Sequence, residues 1–145
     1  MSRKHILSTD LEVSDLGVLA TALQPTRHTV IVTTIVGGTA TAYTTAKITG
    51  RILGIRYVKT DFTNGVDFTI VGETTATPIW TQVNVDASVT VAPRQATCDT
   101  AGVASLYAAG GEPVEDYIVL ADERISITIA QGGDLKVGTF HFLIG

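Results

Sequence analysis

The dipeptide Asn64-Gly65 lies between two β-patterned runs, Arg51–Lys59 and Val66–Gly72. No other feature of the chain narrows its fold as much. Asn and Gly tolerate the positive φ angles of a type I′ turn, whose twist matches that of paired strands. The pattern therefore predicts a β-hairpin here and an all-β fold around it. After the turn the alternation is strict. Val66, Phe68 and Ile70 fall on one side; Asp67, Thr69 and Val71 fall on the other. A sheet with one buried face has this period of two, so the first set is expected in the core.

The same texture, rich in Thr, Val and Ile, runs from Arg27 to the end and suits a pleated, half-buried surface. His28–Val36 reads as a strand, Gly37-Gly38 as its turn and Thr39–Ile48 as the return of a hairpin. Gly50 and Gly54 interrupt the next run, where glycine marks a bulge or a close backbone approach. Ile79–Val85 and Ser88–Val91 continue as strands, and Pro93 ends the run. Ala92–Pro113 is the longest irregular stretch, of a length usually reserved for function, with room for a turn of helix at Ala101–Ala109. Three strands close the chain: Asp116–Ala121, Arg124–Ala130 and Leu135–Ile144, the last two joined by a turn at Gly132-Gly133-Asp134. Ile125, Ile127 and Ile129 share one face, as do Phe140, Phe142 and Ile144; Trp80 and these phenylalanines read as core anchors. The total is about eight to ten short strands, which predicts an antiparallel β-sandwich, jelly-roll-like in the number of its strands. Residues 27–145 form that single domain. Residues 1–26 lack the period of two and read as an N-terminal arm, or as a short helix capped by Ser14.

Composition excludes several functions. A chain of 145 residues can build one core without staples. The net charge of −4 argues against binding a phosphate backbone. Cys98 is the only cysteine, so neither an intrachain disulfide nor a cysteine-based zinc site is expected. No run approaches the roughly 18 apolar residues of a membrane span. Leu16–Leu23 imitates a signal-peptide core, but Asp10, Glu12 and Asp15 precede it, and no signal peptide is expected. Only 17% of residues are charged and 45% are hydrophobic. That apolar content either fills a sandwich core or is covered by a partner or by further copies.

Chemistry-bearing patterns are sparse. There is no G-x-S-x-G elbow, phosphate-binding loop or dinucleotide fingerprint. His5, His28 and His141 share no ligand spacing. Asp61 and Asp67 bracket the Asn-Gly turn and read as turn carboxylates ahead of a calcium or acid–base pair. Asp122-Glu123-Arg124 reads as a solvated turn. No catalytic residue, metal ligand or cofactor is expected.

Three runs carry a resemblance: GIRYVKTDFTNGVDFTIVGETT (54–75), IWTQVNVDASVTVAPR (79–94) and DERISITIAQGGDLKVGTFHFLIG (122–145). In texture and turn placement the chain resembles small structural proteins of tailed bacteriophages, of the capsid decoration or cement type. The likeness spares the first 26 residues. It implies a non-enzymatic virion protein, made in the bacterial cytoplasm, that forms a dimer or trimer and clamps the major capsid protein. It implies no nucleic-acid or membrane partner. The interface candidates are Arg3, Ile6, Leu11, Leu16 and Leu19 on the arm, with Arg94 and Tyr107 in the long loop. Arg94 offers a planar fork for a carboxylate across an interface, or for a local surface ion pair. The alternatives are a tail or head–tail connector component, or a carbohydrate-binding sandwich using Trp80, Tyr43 or Tyr107.

Overall fold

The structure, a computed structural model, describes residues 24–145. The strands are β1 (Thr26–Thr33), β2 (Ala40–Tyr43), β3 (Ile48–Lys59), β4 (Val66–Gly72), β5 (Pro78–Val85), β6 (Val89–Val91), β7 (Arg94–Ala96), β8 (Glu115–Tyr117), β9 (Val119–Glu123), β10 (Ile125–Ala130) and β11 (Val137–Ile144). One sheet has the order β1-β11-β3-β6, with β9 also paired to β3. The second has the order β2-β10-β4-β5, and β7 and β8 form a separate ribbon. Every pairing among these strands is antiparallel.

The order follows a simple rule. β4 pairs β5, β3 pairs β6, β2 pairs β10 and β1 pairs β11. These are nested pairs of one long antiparallel ribbon. Rolling that ribbon adds the pairs β3–β11 and β4–β10 and yields two facing sheets, the jelly roll. The fold is all-β and antiparallel, as the strand pattern predicts. Residues between β6 and β10 form a long insertion that contains β7, β8 and β9.

The core lies between the two sheets. Val30, Val32, Ile55, Tyr57, Phe140 and Phe142 meet Phe68, Ile70, Ile125, Ile127 and Ile129. Val66, Phe68 and Ile70 are buried as expected, and so are Ile125, Ile127, Ile129, Phe140, Phe142 and Ile144. Each such side chain contributes about 1.5–3 kcal/mol on burial. Phe68 packs edge-on against Phe140 at 5.1 Å between centroids, and Tyr57 tilts against both at 5.0 and 5.1 Å.

Which strands pair departs from the expectation in three places. Asn64-Gly65 does not close a hairpin, because β3 and β4 belong to different sheets. Only Gly65 has a positive φ, +86°, which rules out a type I′ turn. The cause is Phe62, which is 1% exposed and plunges into the core from the connecting loop. The Asp61 and Phe62 N–H groups both donate to Val137 O, and Thr63 N–H donates to Gly132 O, so the loop is tied to β11 and its approach. β2 likewise pairs with β10 instead of returning along β1, and the Gly132-Gly133-Asp134 turn carries the chain from one sheet to the other. The tight hairpin is β4–β5, where Gly72 N–H donates to Thr77 O.

Other details differ too. Ala101–Ala109 is not helical: isolated bridges Cys98–Ala104 and Leu106–Pro113 extend the ribbon through it. Trp80 sits at the margin of the core against Phe68, its indole N–H donating to Gln82 Oε1. Gly50 behaves as expected of a bulge, with φ +136° and a register shift beside it; a Cβ there would lie 3.1 Å from Gly145 O.

Candidate interaction surfaces

The outer face of the β1-β11-β3-β6 sheet carries two arginines, Arg27 and Arg56, along one groove. Register sets two rows across it. Thr29, His141, Arg56 and Thr90 lie abreast on four neighbouring strands. Beside them lie Arg27, Leu143 and Gly54. Phe140 and Phe142 point inward, so His141 and Leu143 must point outward. Gly54 contributes no side chain and leaves a depression, a groove of about 250 Å³ lined by Arg27, Gly54, Ile55, Arg56, Thr90, His141 and Leu143. Arg56 Nη1 donates to Thr90 Oγ1 at 3.0 Å, and Thr29 Oγ1 and His141 Nδ1 share a hydrogen bond at 2.8 Å. No carboxylate lines the groove among the described residues, and neither Arg27 nor Arg56 has an ion-pair partner among them. The groove thus combines apolar lining from Gly54, Ile55 and Leu143 with two arginines, on a chain of net charge −4.

The insertion builds a second surface. β7 and β8 pair from Arg94–Tyr117 to Ala96–Glu115 and form the base of the ribbon. Asp99 Oδ1 accepts from Ala101 N–H and Val103 N–H at 2.8 and 3.0 Å, which shapes one bend. Val103, Leu106 and Tyr107 are exposed along the ribbon, Tyr107 to 77%. Arg94 stands at the base. Its guanidinium lies 4.2 Å from the Tyr117 ring centroid, with Arg51 also on that ring at 4.9 Å. Arg94 is thus engaged in cation–π contact and has no carboxylate partner among the described residues. The fold separates Arg94 from Tyr107 along the ribbon. Arg3, Ile6, Leu11, Leu16 and Leu19 lie outside the described residues.

At the opposite end of the jelly roll, Ile35, Val36 and Leu135 are exposed on two adjoining loops. Gly37 N–H donates to Asp134 Oδ1 at 2.8 Å, and Thr34 Oγ1 donates to Gly133 O at 2.6 Å, so the loops are stapled together.

The Asp122-Glu123-Arg124 cluster is only partly solvated. Asp122 is exposed, but Glu123 is 3% exposed. Its Oε1 accepts from Thr74 and Thr75 N–H, and its Oε2 from Thr75 Oγ1. These bonds, the Thr75 N–H foremost, hold its carboxyl below the usual range against the opposing effect of burial. Arg124 forms a bidentate pair with Glu73 and lies over the Tyr43 ring. The Arg124 hydrogen bond lowers the Glu73 pKa in turn. These residues fix the β4–β5 hairpin to β10 and are structural. Asp61 and Asp67 are structural as well: Asp61 accepts from Val137 N–H, and Asp67 accepts from Asn84 N–H and Gln131 Nε2.

Among the described residues no three His, Cys, Asp or Glu side chains converge to hold a metal, and no helix is long and apolar enough to cross a membrane. The chain matches no family model, no curated protein and no solved structure.

Proposed function

We propose that this chain is a non-enzymatic structural protein of a tailed-phage particle. It acts as an oligomeric decoration or cement protein bound to the shell of the major capsid protein. The observation that carries this reading is a jelly roll with apolar side chains exposed at both ends: Val103, Leu106 and Tyr107 on the ribbon, and Ile35, Val36 and Leu135 on stapled loops. Rigid surfaces of this kind suit contact with other subunits. Jelly rolls recur in viral capsid and lectin domains, an argument by analogy of fold.

The mechanism is mass action. A protein that binds only the assembled lattice stabilises it by RT ln(1 + [L]/Kd). Several contacts from one oligomer raise the effective concentration without new chemistry. Mass spectrometry of purified particles is the test. High copy number supports cementing, low copy number selects a connector or tail component, and absence from particles sinks both. The exposed Tyr107 favours one second reading, a carbohydrate-binding module. Glycan-array binding that is lost on Tyr107→Ala, without particle association, would select it.

A further inference from the structure

The strands at the margins of the two sheets are β1, β6 and β9 on one and β2 and β5 on the other. A marginal strand offers unpaired backbone groups to any chain that can lie beside it. β6, β2 and β9 are short, with three, four and five residues. β5 is irregular: its register on β4 shifts twice, and Asn84 has φ +55°. β1 is different. It runs for eight residues without proline, and its register on β11 is unbroken. One bond fixes the direction of its backbone groups. Thr34 N–H donates to Lys136 O, directly across in that same register. The even-numbered residues of β1 therefore bond to β11, and the odd-numbered ones turn away from it. Arg27, Thr29, Ile31 and Thr33 thus point their N–H and C=O groups off the sheet, and none of those groups has a hydrogen-bond partner among the described residues.

We infer that β1 pairs antiparallel with β1 of a second copy, about a two-fold axis at Val30, and so joins two sheets into one. The inference deepens the oligomeric part of the proposed role and rests on that part alone. Register selects the partner. With the axis at Val30, Arg27 lies opposite the partner's Thr33 and Thr29 opposite the partner's Ile31, so every open N–H meets an open C=O. An axis at Thr29 would set Thr33 opposite the partner's Pro25, which has no N–H. An axis at Ile31 would set Arg27 opposite the partner's Ile35, in the loop beyond the strand. Charge agrees with the Val30 axis. Arg27 is the only permanent charge on β1, and the two-fold holds its two copies at opposite ends of the paired strands, each across from a threonine, so that no like charges oppose. Apolar exposure agrees as well. Ile31 is 67% exposed; in the pair it lies diagonal to the partner's Arg27, whose aliphatic stem covers it. The exposed Ile35 comes level with the partner's Pro25.

Sedimentation velocity of the full chain over a concentration series tests this. The wild type should show a monomer–dimer equilibrium. Ile31→Pro removes an N–H that faces away from β11, so the monomer loses no ladder bond. It should nonetheless weaken the dimer about thirtyfold, one bond being lost from each half. Charge then reads the register. One variant carries Thr29→Lys and Ile31→Lys, another Thr29→Glu and Ile31→Glu. Positions 29 and 31 face each other across the axis, so each variant alone should be monomeric with an unchanged far-ultraviolet spectrum, and an equimolar mixture should form the heterodimer. A wild type that is monomeric at every concentration, including one whose edge is covered by residues 1–23, would overturn the inference. So would a dimer indifferent to Ile31→Pro, or a mixture that stays monomeric. If the charged variants do not fold, a Cys98→Ser chain with Thr29→Cys and Ile31→Cys decides. Facing α-carbons of a hydrogen-bonded pair lie about 5.5 Å apart, within reach of a disulfide. A disulfide-linked dimer on a non-reducing gel supports the pairing, and its absence refutes it. Particle association is read separately by co-sedimentation. A monomer that still decorates particles defeats this inference alone, and a β1-paired dimer that ignores particles defeats only the proposed role.

Discussion

The crossing loop between β3 and β4 can be probed at Gly138, which faces it from β11. The Gly138 backbone pairs with Val32 and Lys59, and its α-carbon sits under the Phe62 ring. A Cβ added there would lie 2.6 Å from Phe62 Cδ2 and 3.0 Å from Cζ, and closer still to Cε2. Ordinary carbon contacts are about 3.5–4.0 Å. The ring has nowhere to go, being 1% exposed and stacked on Tyr57. Gly138→Ala should therefore cost about 3 kcal/mol, the upper end of overpacking penalties. For a domain near 150 residues that lowers Tm by about 6–12 °C. Phe62→Ala alone should cost about 3–5 kcal/mol, because it leaves a cavity. In the double variant the new methyl enters that cavity. The combined loss should fall short of the sum by about 1–3 kcal/mol. Urea unfolding followed by Trp80 fluorescence gives all three values, with equal m-values confirming a common unfolded state. Additive losses, or a Gly138→Ala protein as stable as wild type, would refute the claim that Phe62 anchors the crossing.

Three further outcomes are expected. The Tyr57 hydroxyl is buried with no hydrogen-bond partner among the described residues, and burial pushes its pKa up to about 12. Tyr57→Phe should raise stability by about 1 kcal/mol, since the orphaned hydroxyl costs desolvation without a bond; a loss of stability on chemical denaturation would contradict this. Glu123 has a folded pKa below its unfolded value, so its contribution is present above the ordinary carboxylate value of about 4.5 and is lost as pH falls through the folded value. Glu123→Gln should accordingly melt below wild type at pH 7, and the two curves should converge in acid; a constant gap across pH would count against the Thr74–Thr75 clasp. Tyr107→Ala should change stability by less than about 0.5 kcal/mol, as befits an exposed side chain, yet weaken particle association in co-sedimentation, and retained association would exclude the ribbon tip from the contact.

The strands themselves are legible in the residue order because a pleated strand turns alternate side chains to opposite faces. Val66, Phe68 and Ile70 declare a buried face without reference to anything distant. Alternation does not name the partner strand. Asn64-Gly65 carries a genuine turn preference, but the apolar Phe62 just before it decides the geometry by committing the loop to the core. Glu123 reads as solvated among its charged neighbours because its partners, Thr74 and Thr75, lie some fifty residues away. Tyr107 is recognisable as an aromatic in a long loop, and it is exposed. The groove has no local signature at all. Arg27, Arg56 and His141 come from three strands, and only the register of β1, β11 and β3 brings them together.

The nested pairing has a consequence for how the domain is made. Of its strands β1 is the first to leave the ribosome, yet its partner β11 is the last; Thr29 and His141, joined side by side, are 112 positions apart. Until β11 emerges, β1 has no native neighbour within its own sheet, and its hydrogen-bonding edge stays open. Distant closures of this kind slow folding to milliseconds or seconds, during which open edges invite aggregation. Loss of the final eight or so residues would strip β1 of its ladder. The two ends of the domain, which meet at Thr26 and Ile144, make it a natural subject for circular permutation: joining them and opening the β4–β5 hairpin would turn the slowest closure into a local one.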